Sequence, residues 1–89
     1  MESEKLVGKV SHFFDKAMVV AIKLESALSV GDEIRIKRGE DEPVEMTIQS
    51  MQLDHKSIDA GRGGDEIAIK VNERVKEGAD VFKVEKLPE

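Results

Sequence analysis

The sequence predicts an all-β domain of six short strands in a barrel or sandwich. Three observations lead there. Valine and isoleucine total seventeen against five leucines, and β-branched side chains suit a pleated strand better than a helix. Apolar residues recur with a period of two along most of the chain. Turn signals fall about every eight to twelve residues. Closure into a barrel is the physically attractive arrangement, because it removes edge strands that invite aggregation.

The elements follow in order. Leu6, Gly8, Val10, His12 and Phe14 share one face of a first strand, with Val7, Lys9, Ser11 and Phe13 on the other. The first set is read as the inward face, which makes His12 a partly buried barrel residue and Phe14 a core residue. Val7, Phe13 and Val19 then point outward as a candidate apolar docking patch. Asp15 and Lys16 form a turn, and Val20, Ile22 and Leu24 alternate in a second strand, completing a hairpin. Leu28 and Val30 precede the turn pair Gly31-Asp32. Ile34 and Ile36 alternate with Glu33, Arg35 and Lys37 as a half-buried strand should. A polar turn around Gly39 leads to Val44, Met46 and Ile48. Met51 and Leu53 fall on the opposite parity, which a bulge near Gln49-Ser50 explains. Residues 54–65 are the least regular. Ile67, Ile69 and Val71 alternate again, residues 72–79 are charged, and Val81 to Val84 form the last strand, with Phe82 in the core. Residues 70–84 also admit a helical drawing, but Gly78 interrupts it and no apolar stripe holds. Pro88 stops a short polar tail at residues 86–89, so the domain core is read as 6–84 within a single 1–89 domain.

Composition narrows the function. The chain has 89 residues and a net charge of −5, and both halves are mildly acidic. A non-specific nucleic-acid binder needs a phosphate-facing basic field, which this balance does not supply. There is no cysteine, so disulfides, thiolate nucleophiles and cysteine metal sites are absent. No run of signal-peptide or membrane length occurs, and a cytoplasmic, membrane-free protein is expected. His12 and His55 have no ligand spacing between them. No nucleophile elbow surrounds a serine. A binding module without catalytic residues, metal or cofactor is therefore expected.

Two clusters stand out. Gly61-Arg62-Gly63-Gly64 resembles a phosphate cradle in composition, but a strand follows it and no Gly-Lys-Ser/Thr appears. Its glycines are read as supplying positive φ in a tight loop. Arg35, Lys37 and Arg38 are the densest basic group, and Glu33, Glu40, Asp41 and Glu42 lie among them, giving a mixed-sign solvated face.

Two segments carry a resemblance: residues 28–34, Leu-Ser-Val-Gly-Asp-Glu-Ile, and residues 59–69 around Gly61-Arg62-Gly63-Gly64. With residues 75–81 they look like the second domain of translational GTPases, elongation factor Tu above all. The resemblance implies a closed six-stranded Greek-key β-barrel. A similar barrel ends collagenase-like peptidases, and Val30-Gly31-Asp32 fits that group equally well. The GTPase domain is missing, so no nucleotide hydrolysis is implied. Carried over residue by residue, the aminoacyl-tRNA contacts of the family fall on Gln52, His55 and Lys56, with Arg62 in the adjoining loop. Gln52 lacks the carboxylate of the family residue, and His55 lacks the bidentate fork of arginine. Two partner classes follow: RNA (tRNA or the ribosome), or a protein such as a separately encoded collagenase-like peptidase that the chain serves as an accessory domain.

Overall fold

The computed structural model describes residues 2–86 of the chain. Among these there is no helix, and ten strands replace the expected six. They are β1 (Glu2–Phe14), β2 (Val19–Leu24), β3 (Leu28–Ser29), β4 (Glu33–Lys37), β5 (Val44–Thr47), β6 (Met51–Leu53), β7 (Lys56–Ile58), β8 (Ala60–Gly61), β9 (Glu66–Lys70) and β10 (Asp80–Lys86). Eight of them form one antiparallel sheet in the order β5-β4-β10-β1-β2-β9-β6-β7, and β3 pairs with β8 in a separate ribbon. The polar tail read at residues 86–89 begins inside β10, and residues 87–89, like Met1, lie outside the described residues.

The sheet curls around a core of aliphatic side chains. Val7, Val20, Ile22, Leu28, Ile34, Met51, Ile67 and Val81 are essentially inaccessible, and no polar or charged residue is buried among the described residues. Alternation is clean in β2, β4 and β9, where period two was read correctly. The ladder does not run full circle. Its edges are β5 and β7, so the molecule is a curled half-barrel rather than the closed six-stranded barrel expected. Val30 N–H reaches Asp59 carbonyl and Gly31 N–H reaches Ile48 carbonyl, both at 2.8 Å. These bonds tie the β3–β4 turn to the end of β5 and to the β7–β8 segment.

The first strand departs most from the sequence reading. On its β10 side, Leu6 faces Phe82 and Gly8 faces Val81, leaving Val7 as an extra residue. On its β2 side, Val10 faces Ile22 and His12 faces Ala21, leaving Ser11 extra. Each bulge resets which parity points inward. Val7 and Val10 are both buried, Phe13 packs on the core, and Leu6 and Phe14 are 40 % and 49 % exposed. The inward set Leu6, His12 and Phe14 is thus corrected. The outward patch of Val7, Phe13 and Val19 does not form, since Val7 is buried and the other two are half-buried. Phe82 is half-buried, paired with the outward Arg35, and Lys37 sits 5.2 Å over its ring.

The phase slip at residues 49–50 is a strand break rather than a bulge. β5 pairs with β4, whereas β6 pairs with β7 and β9. Buried Ile48 anchors the crossing. Residues 54–65, read as irregular, hold β7 and β8.

Candidate functional site

The residues carried over from the resemblance sit on and beside the β6–β7 hairpin. Met51 faces Ile58, Gln52 faces Ser57 and Leu53 faces Lys56. A two-residue loop, Asp54-His55, joins them with φ of 51° and 65°. Positive φ at both positions is the type I′ pattern that matches strand twist. Gln52 and Lys56 occupy neighbouring register positions, so they lie on opposite faces of the hairpin. His55 is at its tip. All three are exposed, as is Arg62. The hairpin brings Gln52, His55 and Lys56 into one segment but does not converge them on one point.

Arg62 opens a tight turn. Asp65 N–H donates to Arg62 carbonyl at 3.0 Å, and Gly64 has φ of 96°, as a type II turn requires. Arg62 N–H donates to Asp65 Oδ2, and Gly64 N–H donates to Leu24 carbonyl. These amides are spent within the fold, so no cradle for a phosphate is assembled from them. Two other glycines serve close approach instead. A Cβ on Gly61 would lie 2.7 Å from Leu24 Cδ1, and one on Gly63 would lie 2.7 Å from Glu25 carbonyl. Composition alone showed the glycines but not that the end of β2 and the residues just after it press against them.

Two members of the basic cluster are paired with carboxylates. Arg35 bonds Glu45 at 2.7 Å and Glu4 at 3.0 Å, and Lys37 bonds Glu4 at 2.8 Å. Arg38 donates to Glu77 carbonyl. The hydrogen bond from the Lys37 ammonium holds the Glu4 carboxyl below its usual range; desolvation opposes it, and Arg35 adds to the lowering. Sequence reasoning placed acids near this patch but missed Glu4, which comes from the far end of the chain across β10. His12 stacks edge-on against Phe14 with ring centroids 4.3 Å apart, and its Nδ1 lies 2.6 Å from a Glu77 carboxylate oxygen. It is an exposed surface residue. No cluster of three or more histidine or acidic residues able to hold a metal occurs among the described residues.

One surface feature was not anticipated. Glu45, Met46, Thr47, Gln49, Ser50, Lys70, Val71 and Asn72 line an open groove between β5 and the end of β9. One wall of it is β5, an edge strand of the sheet.

No protein-family model matches the chain. A Methanocaldococcus jannaschii protein named as an uncharacterized protease is 34 % identical over 76 residues, covering 85 % of this chain. The chain spans only 19 % of that relative's length. Two crystal structures of the C-terminal domain of a Geobacillus thermoleovorans protein, named as a U32 peptidase, share the fold. They give TM-scores of 0.81 and 0.82 at 16 % and 17 % identity, over 86 % and 89 % of this chain and 96 % and 91 % of theirs. Of the two resemblances drawn from sequence, the peptidase barrel is the one these comparisons support. The elongation-factor resemblance is not confirmed by them.

Proposed function

We propose that this chain is a non-catalytic accessory domain of the kind that ends U32, collagenase-like peptidases, working by protein contact beside a catalytic body. The observation that carries the reading is the match of most of this chain to about one fifth of a protein named as a protease. The fold shared with a peptidase C-terminal domain supports it. So does the surface chemistry. Peptide hydrolysis needs convergent acid–base or nucleophilic groups in a protected cleft, and no polar side chain is buried among the described residues. The catalytic groups of such an enzyme would come from its catalytic body, outside this domain.

A tagged pull-down from native lysate, split with and without RNase, tests the reading. Recovery of a peptidase that survives RNase supports it. The isolated chain should leave fluorescein-labelled casein and gelatin intact. Partners lost on RNase treatment, or hydrolysis by the chain alone, would overturn it. In the first case Gln52, His55, Lys56 and Arg62 become the residues to mutate.

A further inference from the structure

We propose that the groove between β5 and the end of β9 binds an extended peptide segment, which pairs with the open edge of β5 as an added strand. The choice of a peptide as occupant rests on the accessory-domain reading, since polypeptide is what a peptidase handles.

The backbone makes the case. Ile48 N–H donates to Asp32 carbonyl at 2.9 Å, and Ile48 carbonyl accepts from Gly31 N–H at 2.8 Å. Ile48 therefore aims both its backbone groups toward β4. Direction alternates along an antiparallel strand, so Met46 and Val44 do the same, opposite Ile34 and Ile36. Glu45 and Thr47 then aim theirs the other way, into the groove. Two donors and two acceptors are presented along a four-residue strand, with a repeat of roughly 6.8 Å, twice the rise per residue. That is the hydrogen-bonding template an incoming strand uses.

The side chains set the occupant's pattern. Val44 and Met46 turn inward onto the core while Glu45 and Thr47 face solvent, and an added strand would continue the same alternation. On the far wall Val71 is buried and Lys70 is exposed, with no carboxylate bonded to it among the described residues. Glu45 already holds Arg35. The unsatisfied charge of the groove is positive, so the fitting segment alternates apolar and polar residues and carries an acidic one beside Lys70. A second copy of this chain fits less well. The one carboxylate that its β5 edge would bring is Glu45, which already holds Arg35 and is not free to pair with Lys70.

The test uses the whole 89-residue chain, labelled with nitrogen-15. It is titrated with acetyl-Thr-Val-Asp-Val-Thr-amide and with the same peptide N-methylated at both valines and, separately, at the other three residues. Shifts and slowed exchange at the Glu45 and Thr47 amides are expected, with one N-methylated form at least tenfold weaker. Thr47→Pro removes an outward donor without touching the β4 ladder and should weaken binding at least tenfold at unchanged far-ultraviolet circular dichroism. Lys70→Glu should weaken it as well. Shifts mapping elsewhere, equal affinity of all peptide forms, or the same amides protected by a peptide-free dimer would overturn the proposal. If the titration fails while the pull-down still recovers a peptidase, this proposal falls and the accessory-domain reading stands. The reverse pair of results separates them the other way.

Discussion

Adding a single methyl group at Gly8 probes how tightly β1 lies on β2. A Cβ built there would sit 2.5 Å from Lys23 carbonyl, 3.1 Å from Ile22 Cγ2 and 3.2 Å from Leu24 Cα. The shortest contact is with backbone, so no rotamer change relieves it. The atoms would have to separate by about 1 Å to reach an ordinary contact near 3.5 Å. That movement pulls on the Gly8–Leu24 and Gly8–Val81 pairings together, because Gly8 is ladder-paired on both sides. Overpacking of this kind costs about 1–3 kcal/mol. Alanine returns about 0.4–1 kcal/mol by restricting the unfolded chain. The midpoints of these two ranges leave a net loss of about 1.3 kcal/mol for Gly8→Ala. For a domain this size that lowers Tm by roughly 5–10 °C. The chain has no tryptophan or tyrosine, so far-ultraviolet circular dichroism is the probe for heat and urea melts. A Gly8→Ala protein melting within about 2 °C of the parent would refute the claim that backbone packing excludes a side chain here.

Other perturbations have distinct signatures. Glu4 has its pKa lowered in the fold by Lys37 and then Arg35. Its contribution is therefore present above the unfolded value of roughly 4.3 and fades as pH falls through the lower folded value. Glu4→Gln should flatten the acid limb of a stability-versus-pH curve and leave less salt dependence at neutral pH; an unchanged acid limb would count against the clasp. Leu28 is fully buried and pairs with Gly61 in the β3–β8 ribbon, so Leu28→Ala should cost about 2–5 kcal/mol in urea unfolding. A loss below about 1 kcal/mol would show the ribbon to be peripheral. His55 holds φ of 65° at the hairpin tip, and His55→Gly should relieve about 1–2 kcal/mol of left-handed strain against about 0.4–1 kcal/mol of added unfolded-chain freedom; destabilisation would mean the imidazole contributes something the geometry does not show.

Much of the fold was legible from local pattern. The all-β class, the β1–β2 hairpin, the Gly31 turn and the inward faces of β2, β4 and β9 all follow from period two and turn chemistry, which depend on neighbours in sequence. Of the site, Gln52, His55, Lys56 and Arg62 were placed in one exposed segment, but not on which faces. The remainder turns on residues far apart in the chain. Val7 and Ser11 bulge because β1 must satisfy β10 and β2 in different registers, and nothing within β1 encodes that. Arg35 and Lys37 look like a basic patch until β1, seated on the far side of β10, brings Glu4 across to them. Gly61 and Gly63 look like loop flexibility until Leu24 of β2 and Glu25 just after it lie against them. The open β5 edge is likewise a property of the assembled sheet, since an edge exists only when every other pairing has been made. By itself the sequence determined which segments are strands, because alternation is local. Only the tertiary structure decided register, charge pairing and which edge stays open, because each depends on which strand lies alongside.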